Sequence, residues 1–318
     1  MSTAPDRPAA LGRPHVIEHA MAALAPFLMV GVVMVVFYII APDRPLTLPI
    51  MRTILVHMVI VGICALGMTI IIISNGIDLS IGSAVALCSV SIALALRAGW
   101  PLWAGIAAAV LTGAACGLYN GLLITLLRLP PFIATLGTLG FYRGLSKWFT
   151  DSMPVSAETH GLEQIVRPAP PSPAWIVSPG VWALAALAIV VAVVLRYTIF
   201  GRYAFAIGSN EATARLCGIR VERMKTLIYV VAGLFTGLAG VMMFGRLGQG
   251  DPTTAIGLEL EVIAAVVIGG GSLSGGQGGV AGTLAGAFLM AYLKNRCTAL
   301  ELSNYVQDIL VGHIIIVA

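Results

Sequence analysis

Charge is what this sequence has least of. Only 10% of its 318 residues are Asp, Glu, Lys or Arg, where a soluble globular chain carries about 25%, so a water-solvated domain is excluded. Metal-binding spacing is missing as well. The five cysteines (Cys64, Cys88, Cys116, Cys217 and Cys297) form no CxxC, and the five histidines form no pair on one helical face. No metal site is therefore expected. Cys64, Cys88 and Cys116 lie in apolar runs and read as small packing residues. There is no GxSxG, no HExxH and no GK dipeptide anywhere, which removes the serine hydrolases, the zinc proteases and the P-loop nucleotide binders. The net charge of +4 forms no basic stripe interleaved with aromatics, so nucleic acid is not an expected partner.

What remains is apolar: 58% of the residues are hydrophobic, in runs of about 20, the length that crosses a bilayer as a helix. Spans are predicted at 20–41, 53–74, 77–97, 102–127, 131–150, 180–199, 227–246, 257–272, 279–294 and 304–318. The expected fold is an all-α membrane protein, a polytopic bundle of about ten transmembrane segments in two repeated halves. Residues 1–19 read as a cytoplasmic N-terminal segment ahead of a membrane domain at 20–318, because the first apolar run is too long for a signal peptide and lacks a cleavage site. The acidic, proline-rich stretch 151–179 reads as an external loop. Arg143, Lys147, Lys294 and Arg296 fall on the external side and count against this orientation, which is a summed bias. The last span is short: a brief helix, or a truncated chain.

The longest polar interruption is the loop 200–226, with Arg202, Arg215, Arg220, Arg223 and Lys225 against Glu211 and Glu222. Basic excess in a short loop marks the cytoplasmic side. Within it Asn210 is a helix start, Glu211 an acid in the first turn and Gly218 a stop, predicting a short helix at 210–216. A helix held at the membrane surface suits the docking of a soluble protein.

An internal repeat is visible. Gly76–Leu87 aligns without gaps to Gly257–Ile268, pairing Asp78 with Glu259, and the odd number of spans between the copies predicts that they are inverted in the membrane, as in many transporters. Candidate pathway or gating residues are Asn75, Asp78 and Ser80, then Pro131, Phe132 and Thr135 at the start of the fifth span, then Glu259 and Glu261. Helix capping is the competing role for the three acids. Gly113, Gly117 and Gly121, and likewise Gly278, Gly282 and Gly286, stand at four-residue spacing that lets helices approach closely. The string LSGGQ at Leu273–Gln277 matches a nucleotide-cassette signature but lacks the accompanying phosphate loop, and reads as a turn between membrane helices.

Together NGIDLSIGS (75–83), LPPFIATLGT (129–138), YAFAIGSNEATARLCGI (203–219) and ELEVIAAVVIGGGSLSGGQGGVAGT (259–283) resemble the permease subunit of ribose-type carbohydrate ABC importers. The resemblance runs from about Thr53 to Ile316. Cys217 and Thr213 stand where that family more often has Ser and Ala, and His313 lies in an otherwise apolar last span. The resemblance implies a multi-pass protein of the bacterial inner membrane, without catalysis or a bound cofactor of its own. ATP and Mg would sit on a cytoplasmic ATPase that docks at Gly208, Asn210, Glu211, Ala214, Arg215 and Gly218. It further implies a periplasmic sugar-binding protein, a second permease copy or paralogue, and contact with membrane lipid. Two other readings stand beside it: an ion-coupled secondary transporter using Asp78 or Glu259, and a membrane scaffold.

Overall fold

The computed structural model describes residues 14–170 and 176–317. The first residues of the predicted N-terminal segment lie outside them. Twelve helices follow one another among the described residues: α1 Pro14–Ile40, α2 Leu48–Ile73, α3 Ile81–Arg97, α4 Leu102–Thr125, α5 Pro131–Trp148, α6 Pro179–Tyr197, α7 Ile199–Ser209, α8 Glu211–Leu216, α9 Val221–Leu247, α10 Leu258–Ile268, α11 Val280–Ala299 and α12 Asn304–Val317. Each predicted span falls on one of them. Four helices (α2, α4, α6 and α9) are both long and apolar enough to cross a membrane.

Helix α2 is the axis of the bundle. It is apolar on every side, and 94% of its most hydrophobic window is buried; an all-round apolar helix belongs in an interior. The corresponding figure for α4 and for α6 is 28%, and their outer faces carry Leu111, Leu118, Leu122, Trp182, Ile189 and Val190. Those side chains form the belt that a hydrocarbon environment would cover.

Helices α2 and α9 lie antiparallel. The Arg52 Nε donates to the carbonyl of Ile176 at 2.8 Å, bringing the start of α2 to the segment 151–178. The end of α9 reaches the same place, because Gln249–Gly250 pairs antiparallel with Val155–Ser156. At the other face the end of α2 receives the Gly276 N–H on the Ile73 carbonyl at 2.9 Å, while α8 lies against the start of α9.

The contacts repeat when α2, α3, α4 and α5 are exchanged for α9, α10, α11 and α12. Helix α9 packs on α3 and α4 as α2 packs on α10 and α11, α3 on α4 as α10 on α11, and α3 on α5 as α10 on α12. Because the leading helices run in opposite directions, the two halves are inverted, as predicted. Helix α3 begins inside the bundle, with Ser80 and Ile81 buried, and Gly82 faces Ala255 and Glu259 at the start of α10.

Glycine sets the tightest crossing. A Cβ at Gly113 would collide with Gly233 and Gly237, one at Gly117 with the Tyr229 carbonyl, and one at Gly121 would come within 2.9 Å of the Thr226 Cα. The four-residue stripe on α4 is therefore the seat of α9. In the other half only Gly282 and Gly286 behave this way, against Gly269 and Ala265. Gly278 precedes α11 and belongs to the loop, so it is not part of that helix face.

Gly117→Ala should lower the stability of the detergent-solubilised protein by roughly 1–3 kcal/mol. Gly31→Ala, where nothing lies within 4 Å, should leave the thermal midpoint unchanged or slightly raised. Fluorescence-detected melting curves compare the two directly.

Candidate functional site

The predicted polar loop 200–226 is mostly helical. α7 occupies Ile199–Ser209, and Val221 onward already belongs to α9. Helix α7 opens on Thr198, whose Oγ1 accepts the Gly201 N–H at 3.4 Å. It ends where a Cβ on Gly208 would strike the Ile73 carbonyl, so only glycine lets α7 rest on the end of α2. Asn210 then turns the chain in an extended conformation and caps α8, its Oδ1 accepting the Thr213 N–H at 2.9 Å. Gly218, at φ +84°, ends the turn.

Ions tie α8 to α9. Lys225 donates to Glu211 at 2.6 Å, Arg215 to Glu211 at 3.0 Å, and Arg215 also bonds Glu222. The bond from Lys225, with Arg215 beside it, holds the Glu211 carboxyl below the usual carboxylate range. Its contribution to holding α8 is thus present above that range and is lost only as the pH falls through the lowered value. Ala214 turns inward, whereas Leu216 is 89% exposed. The six residues predicted to couple to an ATPase thus lie on or beside α8 and divide its work. Gly208 seats it, Asn210 and Gly218 bound it, Glu211 and Arg215 brace it, and Ala214 anchors it.

The predicted pathway residues do not converge. Asp78 lies 7% exposed in the turn between α2 and α3. One carboxylate oxygen accepts the Ser80 N–H at 2.8 Å and the Ser80 hydroxyl at 2.6 Å, and Asn120 on α4 approaches the other at 3.4 Å. Asn120 also donates to Ser80 at 2.9 Å and accepts from Thr138 at 2.7 Å and Tyr142 at 3.1 Å. Tyr229 on α9 donates to the Ile77 carbonyl at 3.0 Å. This network holds the turn that leads into α3, with Asp78 accepting the Ser80 N–H just ahead of the helix. Thr135 borders it, bonded to Pro131 at 2.9 Å. Asn120 and Tyr142 were not singled out from the sequence, although a lone amide within the apolar run of α4 was a visible signal.

Asn75 sits apart at the α8 face, with φ +59°, beside Gly275. Here LSGGQ explains itself. Gly275 and Gly276 wedge between Asn75, Gly208 and Ser209, so the string is a turn locking α2 to α7. Phe132 is 53% exposed on the outer face of α5. Glu259 stands beside Gly82 at the second helix break, where Arg143 braces the preceding loop by donating to the carbonyls of Pro252 and Thr254 at 2.8 and 2.7 Å. Glu261 pairs with Lys294 at 2.7 Å. It lines a cavity of about 410 Å³ on the face opposite α8, with His57, Arg246, Lys294, Asn295 and Thr298.

A family described as a branched-chain amino acid transport system / permease component matches residues 50–318. The chain belongs to this permease family. It is 39% identical to the ribose import permease protein RbsC of Escherichia coli K12 over 264 residues, 81% of this chain and 80% of that one. It is 37% identical to the RbsC of Bacillus subtilis 168 over 311 residues, 95% of this chain and 92% of that one. It is 35% identical over 252 residues to the autoinducer 2 import system permease protein LsrC of Yersinia pestis (strain Pestoides F), 79% of this chain and 71% of that one. No solved structure matches significantly. The chain is a multi-pass membrane transport component and not an enzyme. Neither the family nor the Asp78 geometry supports an ion-coupled carrier built on Asp78 and Glu259, since Asp78 is enclosed by its own hydrogen bonds.

Asn120→Ala leaves the Thr138 and Tyr142 hydroxyls and the Asp78 carboxylate without their shared partner. It should cost roughly 1–3 kcal/mol of stability, read as a lower denaturation midpoint, with membrane insertion unaffected.

Proposed function

We propose that this chain is the permease subunit of an ATP-driven importer for a small sugar-like solute, and that a separate ATPase moves it by gripping α8. The observation that carries this reading is the build of α8: six residues, Glu211–Leu216, clamped by ions to α9 and seated through Gly208 on α2, yet offering Leu216 almost fully to a partner. A load on α8 therefore reaches both central helices, one from each inverted half. The solute class is supported by the ribose and autoinducer 2 import named for the relatives.

On this reading the basic α8 face is cytoplasmic, and the N-terminus lies with it, since α1 ends at the far face, where Arg296 donates to the Arg44 carbonyl at 3.0 Å. Nucleotide and Mg²⁺ stay on the ATPase. The opposite face meets a solute-binding protein, and a second copy or a paralogue completes the pathway. Asp78, Ser80 and Thr135 then set the rigid pivot of the first half. Glu259 and Glu261 stand where the second half opens, Pro131 fixes the entry of α5 with Phe132 on its outer face, and Asn75 joins that pivot to the α8 face.

Glu211→Arg reverses the charge that Lys225 and Arg215 share. The variant should insert normally, lose the copurifying ATPase in mild detergent, and lose uptake by at least about tenfold, or 1.4 kcal/mol. Normal uptake by the variant, with or without an ATPase, would overturn the reading.

A further inference from the structure

The cavity opposite α8 is walled by α2, α9, α10 and α11 and by the loop between α9 and α10. Lys294, Asn295 and Thr298 reach it from α11, His57 from α2 and Arg246 from α9. Arg246, in the last turn of α9, and Lys294, toward the end of α11, thus put two cations on the lining of one cavity.

Lys294 is held by Glu261 at 2.7 Å. Arg246, in the last turn of α9, is exposed toward the cavity, with Glu261 on the same lining and Glu163 on the adjoining one. Its guanidinium stands with an imidazole, an amide and a hydroxyl on the walls of three helices. At about 410 Å³ it lies within the roughly 300–1,000 Å³ of small-molecule sites. A guanidinium matches a carboxylate bidentately, and the surrounding polar groups suit hydroxyls on neighbouring carbons.

We propose that this cavity binds a small polyhydroxylated carboxylate, a sugar acid, with Arg246 receiving the carboxylate and His57, Asn295 and Thr298 the hydroxyls. This rests on the importer reading and specifies its solute. An acidic side chain of a partner protein is the rival occupant. It would satisfy Arg246 alone and leave the polar groups of the other walls unmatched.

Calorimetric titration of the purified chain in lipid nanodiscs, with D-gluconate and separately with D-glucose, tests the assignment. Gluconate should bind at least about tenfold more tightly, and this preference should weaken with salt. Arg246→Gln should abolish the preference, so that gluconate and glucose bind that variant alike. The assignment is overturned by equal binding of the two probes, by no heat from gluconate up to its solubility limit, or by an Arg246→Gln variant that keeps the preference. It is equally overturned if that substitution changes only the capture of a separate solute-binding protein. Copurification of the ATPase, scored on the same preparation, separates the two readings. Its retention without gluconate binding removes the cavity assignment alone, and its absence with gluconate binding intact removes the importer reading alone.

Discussion

One buried turn, the entry to α3, constrains much of the rest. It lies within the bundle, where its polar groups must find partners in the protein. The structure answers with a carboxylate, a hydroxyl and an amide: Asp78 accepts the Ser80 N–H and hydroxyl, and Asn120 of α4 donates to the Ser80 oxygen. To deliver Asn120 there, α4 must press against α9, and only the glycine stripe Gly113–Gly117–Gly121 allows that distance. The polar network and the tight crossing are thus one device, and Tyr229 on α9 closes it by bonding the Ile77 carbonyl.

The second half repeats the topology without repeating the chemistry. Its start at Glu259 faces the first break across Gly82, its neighbour Glu261 is paired with Lys294, and its outer helix α11 closes on α10 through Gly282 and Gly286 and on α2 through Thr283. The polar network of the first half lies toward the face that carries α8, and the charged cavity lies at the opposite face. That asymmetry gives the molecule a direction. The firm contacts, at Gly208 on Ile73 and Lys225 on Glu211, lie where a partner would push, and the open cavity lies where a solute would enter.

Much of this was legible in the residues. Apolar run lengths located the helices, because a bilayer-length run has few alternatives. The α8 helix was readable from Asn210, Glu211 and Gly218, since capping is local chemistry. The inverted repeat was readable because an acid at a helix start is rare enough in such a chain to align by. Helix α7 was missed because Arg202, Tyr203 and Ser209 make its sequence look like loop; its helicity is secured by the seat that Gly208 finds on α2, a long-range contact. The pathway residues looked like one group and proved to be several, because sequence marks polarity but not partners. Asp78 and Glu261 are both acids at helix starts, and only the positions of Asn120 and Lys294 separate an enclosed cap from a cavity wall.

The central claim is that α8 and the charged cavity face opposite sides of the membrane, with α8 on the side where ATP is hydrolysed. Single cysteines at Asn210 and at Glu301, which is exposed on the cavity face, in a background with Cys217→Ser, can be labelled with a membrane-impermeant maleimide in intact spheroplasts and in inverted vesicles. The account predicts that position 210 reacts only in inverted vesicles and position 301 only in spheroplasts. Labelling of both positions from one side, or of position 210 from outside, would contradict it.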